Sequence, residues 1–185
     1  VFDLSCPYSY LAAARLHKTL GGFRRPFLYT PASGAVIARE SGNPPPAPGS
    51  PKARYLREDC ARLARYYRVP LTWPDPVPDT RPAMAALARM APEARPEACR
   101  RLFRALWVEG RDLGREDVLT SVLGPGRIDT DGAGARTLEA LARDAVRRGA
   151  FGVPTFLFEG EVYFGQDRLF LIEAIISDRI LARSA

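Results

Sequence analysis

The sequence predicts an α/β domain split by a helical insertion, and three observations carry that reading. Residues 1–31 read strand–helix–strand, residues 147–185 read strand–strand–helix, and residues 32–146 carry helical apolar spacing with almost no strand signal. The two ends are taken as halves of one domain, and the middle as an inserted helical domain.

Val1–Ser5 is short and mostly apolar, as a strand is. Pro7 follows where its fixed φ and missing N–H suit a first helical residue. Tyr8–Leu20 continues that helix, and Gly21-Gly22 stops it. Pro26–Thr30 is a second strand-like run, so the opening is one βαβ unit with parallel strands. Residues 43–51, Asn-Pro-Pro-Pro-Ala-Pro-Gly-Ser-Pro, are a loop. Leu56, Cys60, Leu63 and Tyr67 share one helix face, and residues 69–82 form a proline-broken connection. Helices are expected at Ala83–Met90, Pro96–Glu109, Arg115–Leu123 and Ala135–Arg148. Thr155–Phe158 and Glu161–Phe164 are strands joined by a tight turn at Glu159-Gly160. Asp167–Leu181 closes the chain as a helix with Leu169, Ile172 and Ile176 on one side. This order is the thioredoxin pattern interrupted in the middle.

Composition sets the outer bounds. The 185 residues are 46% apolar and 26% charged, enough to bury a core without metal or disulfide staples. The formal charge is +6, from 27 Lys plus Arg against 21 Asp plus Glu. The cations are nearly all Arg and alternate with acids, as in Arg54-Tyr55-Leu56-Arg57-Glu58-Asp59, which is the pattern of solvated helix faces. No block of like charge predicts a nucleic-acid partner. Three cysteines, Cys6, Cys60 and Cys99, lack close spacing, and His17 is the only histidine, so no metal site is expected. A reducing cytoplasm is the default, no signal peptide is read, and no apolar run reaches membrane-spanning length.

Cys6-Pro7-Tyr8-Ser9 is the motif with chemistry in it. It joins the first strand to the first helix, where unpaired N–H groups and the helix dipole favour a thiolate and lower its pKa. Ser9 stands where a Cys-x-x-Cys pair has its second thiol, so this site makes mixed disulfides and no local one. The plainer reading of Cys6 is a small packing residue, which is how the apolar helix faces explain Cys60 and Cys99. Val153-Pro154-Thr155 is the second signal. A cis Pro154 facing the reactive helix end exposes the Val153 backbone to a peptide ligand, whereas a trans proline simply opens the strand. The third is Phe164-Gly165-Gln166-Asp167-Arg168, where Asp167 reads equally as a helix cap or a ligand contact.

Taken together, the stretches Phe2 to Leu11, Ser41-Gly42-Asn43 with Lys52, Phe103 to Asp112, Gly149 to Phe156 and Phe164 to Arg168 resemble the 2-hydroxychromene-2-carboxylate isomerases and kappa-class glutathione transferases. The resemblance implies a DsbA-like thioredoxin domain, a homodimer, and glutathione as cofactor, bound at the first helix by Cys6, Pro7 and Tyr8. It implies that Val153, beside Pro154, pairs its backbone with the cysteinyl part of glutathione, and that Gln166 and Asp167 hold its γ-glutamyl end. Asn43 and Lys52 contact glutathione or an aromatic carboxylate substrate, which makes the proline-rich loop a wall of the site. The family normally has serine where this chain has Cys6, and its hydroxyl supports the glutathione thiolate. Ser5 and Ser9 are the nearby hydroxyls that remain. Four activities follow: a glutathione-dependent isomerase, with Cys6 as the catalytic group; a monothiol oxidoreductase using Cys6 as nucleophile; a conjugating transferase; and a non-catalytic binding protein on the same fold.

Overall fold

The structure, a computed structural model, describes residues 1–20 and 27–184, with side chains through Asp178. Eight helices are described: α1 (Pro7–Leu20), α2 (Gly34–Ser41), α3 (Pro51–Tyr67), α4 (Arg81–Arg89), α5 (Arg95–Trp107), α6 (Glu116–Leu123), α7 (Ala133–Arg147) and α8 (Leu169–Ser184). Strands β1 (Thr155–Phe158) and β2 (Glu161–Phe164) lie between α7 and α8. Prolines stand at the start of α3, α4 and α5, where no intrahelical donor is lost. Pro7 does the same for α1.

The strand reading of the N-terminal half is corrected in extent. Val1–Ser5 forms one parallel bridge, Phe2 to Pro31, at the residue that follows the described part of the second run, residues 27–30. It is held by Phe2 N to Thr30 O at 3.1 Å and Ala32 N to Phe2 O at 3.0 Å. The parallel direction is as expected, but the ladder stops there, because Leu4 N turns to Met84 Sδ and Leu4 O accepts from Trp107 Nε1. The Gly21-Gly22 stop and Pro26 lie outside the described residues. On its other side this segment receives a hydrogen bond from Thr155 N to Val1 O at 3.0 Å, which attaches β1. β1 and β2 pair antiparallel from Thr155–Phe164 to Phe158–Glu161. Their turn has positive φ at Glu159 and Gly160, the backbone a two-residue hairpin requires.

Helix α2 is one that the sequence analysis had not singled out. Its signals are local: the Ser33 hydroxyl accepts from Val36 N at 3.3 Å, and Gly42 ends the helix with a φ of 68°. Glycine matters most at 134. A Cβ there would fall 2.3 Å from the Ala85 carbonyl oxygen, so α7 and the alanine-rich α4 approach more closely than any side chain allows.

Helix α1 belongs to two cores at once. Its Tyr10 and Leu11 join Leu4, Met84, Leu102 and Trp107 against the inserted helices. Its Leu16 and Leu20 pack with Leu169 and Ile172 of α8 and with Phe156 and Tyr163 of the hairpin. The reactive end of α1 is thereby fixed from both sides. Cys60 and Cys99 are fully buried in the first core, as the packing reading expects. The arginine-rich face of α3 is solvated and paired, with Arg62 on Glu58 at 2.7 Å and Arg57 on Asp75 at 2.9 Å.

Burial pushes the Cys60 thiol and the Tyr10 and Tyr29 hydroxyls up to about 12, and it raises Cys99 as well. The folded chain thus keeps protons that the unfolded chain releases from about pH 9 upward. Stability is complete below that range and declines as pH rises through it. Urea unfolding at pH 8 and pH 10.5 is expected to show a lower midpoint at the higher pH. A midpoint that does not move would contradict this account of the buried thiols and phenols.

Candidate functional site

The site begins with a tight turn. Asp3 Oδ1 accepts from Ser5 N at 2.9 Å and from Ser5 Oγ at 2.8 Å, while its Oδ2 accepts from Gly34 N at 2.8 Å. One carboxylate therefore shapes the Cys6 approach and caps α2. Cys6 N then bonds to Asp3 O at 3.2 Å, and α1 starts at Pro7.

Pro154 is cis, and the preceding carbonyl meets the reactive cysteine: Cys6 Sγ donates to Val153 O at 3.3 Å. Gly165 N donates to Pro154 O at 2.9 Å, which sets the Gln166–Arg168 turn beside the same proline. Asn43 Nδ2 and Ser41 Oγ donate to Phe151 O at 3.0 and 3.2 Å and tie the end of α2 to the loop before Val153. The Tyr8 hydroxyl donates to Asp59 Oδ2 of α3 at 2.8 Å, and burial with this carboxylate raises its pKa. Cys6, Pro7, Tyr8, Asn43, Val153, Pro154, Gln166 and Asp167 are thus linked through short hydrogen bonds and adjacent turns. Lys52 is exposed in the first turn of α3, two turns before Asp59 on the same side of the helix, and stands outside that hydrogen-bonded set.

One expectation needs correction, and it concerns Cys6. The helix-end N–H groups of Ser9 and Tyr8 act to favour the thiolate. Burial outweighs them, Asp3 adds to it, and the Cys6 pKa is raised rather than lowered. The residue keeps part of its surface open, but its sulfur is enclosed by the Val153 loop. Gln166 is tied to α1. It is buried at 4% exposure, and its Oε1 accepts from Arg15 Nη1 at 2.8 Å. Arg15 is itself stacked 3.6 Å over the Tyr67 ring. Gln166 therefore buttresses the turn, while the half-exposed Asp167 reaches solvent and pairs with Arg168 at 3.0 Å. Gly165 holds the cap position of that turn, so Asp167 is not its cap.

Sequence reasoning missed Arg15, Asp59 and Asp3. Asp3 carried a local signal, since an Asp two residues before Ser is an Asx-turn pattern. Arg15 and Asp59 meet their partners only through helix packing, and no spacing in the chain reports it. An apolar cavity of about 360 Å³ lies elsewhere, between α1, residues 27–30, β1 and α8. It shares Ser9 and Pro154 with the site but is not lined by Cys6, Asn43, Lys52 or Asp167. Among the described residues no group of side chains is arranged to hold a metal ion, and no helix is long and apolar enough to cross a membrane.

A cysteine before a helix, opposite a cis-proline loop, is the arrangement of a thioredoxin-type site. Residues 1–177 match the DSBA-like thioredoxin domain, and the chain belongs to that family, in the group of 2-hydroxychromene-2-carboxylate isomerases and kappa-class glutathione transferases. It is 30% identical over 183 residues to the 2-hydroxychromene-2-carboxylate isomerase of Pseudomonas putida, covering 94% of this chain and 90% of that one. It is 24% identical over 203 residues to rat glutathione S-transferase kappa 1, covering 96% and 89%. A solved 2-hydroxychromene-2-carboxylate isomerase superposes with a TM-score of 0.79 at 28% identity, over 99% of this chain and 95% of that one.

Proposed function

We propose that this protein is a glutathione-dependent isomerase acting on 2-hydroxychromene-2-carboxylate or a related aromatic acid. The observation that carries the reading is the Cys6 thiol. It stands at the N-terminus of α1, opposite Val153 and cis Pro154, and burial keeps it protonated at neutral pH. A protonated thiol donates one hydrogen bond to a sulfur anion and does not oppose its charge. A monothiol oxidoreductase needs the opposite, an ionised Cys6.

The residues present fit glutathione. The Cys6 S–H is a donor for its sulfur, and the Ser9 hydroxyl is a buried polar atom without a partner beside it. Bound there, glutathione would supply a thiolate nucleophile for reversible addition to a carbon–carbon double bond of the ring-opened substrate. Cys6 orients and stabilises that sulfur. Val153 presents backbone to the cysteinyl unit, Asp167 meets the γ-glutamyl ammonium, and Pro7 and Tyr8 shape the helix end. Asn43 and Lys52 form the substrate side, where the Lys52 ammonium offers a charge partner for the aromatic carboxylate. The same reading carries a homodimer and a cytoplasmic location as proposals.

The experiment is absorbance-monitored isomerisation of 2-hydroxychromene-2-carboxylate by the pure protein, with and without reduced glutathione. Turnover only with glutathione is expected. Absence of turnover in both conditions overturns the proposal and moves the assignment to thiol–disulfide exchange at Cys6.

A further inference from the structure

We infer that Arg15 is a positioning residue of this site: it holds the Gln166–Arg168 turn, and with it the Asp167 carboxylate, in the orientation that an ammonium-bearing ligand end would meet. That the ligand is glutathione rests on the reading above; that Arg15 fixes the turn does not.

Arg15 lies on the third turn of α1, well past the Cys6 end of the helix. Its Nη1 donates to Gln166 Oε1 at 2.8 Å and to Gln166 O at 3.3 Å. One guanidinium nitrogen therefore grips both the side chain and the backbone of a single residue. The guanidinium carbon sits 3.6 Å from the centroid of the Tyr67 ring, at the end of α3. That stacking fixes the plane of the fork before it reaches the turn, which a lysine ammonium has no plane to do. Helix α1 thus carries the cysteine at its start and the brace of the 166–168 turn further along, with α3 stiffening the brace.

Among the described residues, two hydrogen-bonded anchors hold this turn from outside. Gly165 N on Pro154 O fixes its start, and Arg15 on Gln166 fixes its middle. The remaining backbone bond, Arg168 N to Gly165 O at 3.3 Å, is internal to the turn. Asp167 follows the shape of this backbone closely. A Cβ on Gly165 would fall 2.6 Å from Asp167 Oδ1, so the carboxylate lies folded against the turn that carries it. A twist at Gln166 therefore moves the carboxylate as well. Gln166 is 4% exposed, and without the guanidinium its buried amide oxygen loses its donor. The amide then has to swing toward water, and the turn goes with it.

The test joins amide exchange by NMR in the glutathione-free protein to calorimetric titration with reduced glutathione. Arg15→Met keeps the apolar stem and removes the donor. It is expected to speed exchange of the Gly165 and Arg168 amides by about tenfold and to leave the Thr155 amide, bonded to Val1 O, unchanged. Unchanged exchange at Gly165 and Arg168 in folded Arg15→Met overturns the proposal. Gln166→Met removes the acceptor, leaves Arg15 on Tyr67, and gives the same comparison if Arg15→Met folds poorly. Each variant is expected to bind glutathione about fivefold more weakly, and the double variant no more weakly than either alone, because the same bond is lost in all three. Additive losses, or wild-type affinity in Arg15→Met, overturn the positioning role. In turnover, KM for glutathione should rise while kcat at saturating glutathione holds, and a fall in kcat alone also overturns it. Arg15→Lys should not restore the affinity; full recovery would show that charge suffices and remove the role of the stacked fork. If the wild-type protein binds no glutathione, the function reading fails alone, and the exchange rates still decide whether Arg15 fixes the turn.

Discussion

Cys6→Ser is expected to retain or raise glutathione-dependent isomerisation, and Cys6→Ala to lower it about tenfold or more. A hydroxyl donates a stronger hydrogen bond to a sulfur anion than a thiol does, and alanine donates none. Loss of one well-placed donor at a developing anion costs about 10²–10³ in kcat, and a thiol, being the weaker donor, sits toward the lower end of such losses. The same argument separates the variants by pH. In the proposed donor role Cys6 acts protonated, so wild-type activity is expected to hold below the raised Cys6 pKa and to decline as pH climbs through it. Cys6→Ser has no such ionisation, and its alkaline limb should be flatter once the loss of fold stability at high pH is separately measured. Initial rates from pH 6.5 to 9.5 for the three proteins test all of this. Complete loss of isomerisation in folded Cys6→Ser would show that the sulfur acts as nucleophile and would remove the donor role.

How far the sequence reaches is clearest by comparing particular residues. Pro7, the Cys6 position and the Glu159-Gly160 turn are set by local backbone demands, and each lies where its local chemistry puts it. Periodicity located α3 to α8 within a few residues, because each has an apolar face wide enough to read. The first strand failed as a ladder because pairing depends on what its next residue meets, and Leu4 meets the Met84 and Trp107 side chains instead of a partner strand. The site shows the same division. The Val153 carbonyl lies against Cys6, Asn43 is tied to the Phe151 carbonyl of the same loop, and the 165–168 turn is tied to Pro154. The protonation state of Cys6 was not legible, because the helix terminus and the burial act in opposite directions. Only three-dimensional enclosure shows which wins. The Gln166–Arg15 bond was likewise not legible, because Arg15 reaches that oxygen only through the packing of α1.

Trp107→Ala is expected to lower stability by about 3–5 kcal/mol and to displace the Tm by on the order of 10 °C. Trp107 is fully buried at the end of α5. Its ring stacks with Tyr10 at 6.4 Å between centroids and meets Trp73 edge-on at 5.4 Å. Its Nε1 donates to Leu4 O at 2.9 Å in a buried setting, while Leu4 N reaches Met84 Sδ at 3.4 Å. Side chains from α4 and α5 thus satisfy both backbone groups of Leu4, which no sheet neighbour does. Truncation leaves a cavity and also orphans the Leu4 carbonyl. Trp107→Phe isolates the second effect, since a ring still fills the space. It should cost about 1–3 kcal/mol, the range for one buried polar group left unpaired. Leu4 stands two residues before Cys6, so a loosened carbonyl there should also weaken the approach of the thiol to Val153. Chemical unfolding and initial rates of both variants decide it. A Trp107→Phe protein as stable and as active as the wild type would mean that the inserted helices support the reactive turn by packing alone, with the indole hydrogen bond contributing nothing to it.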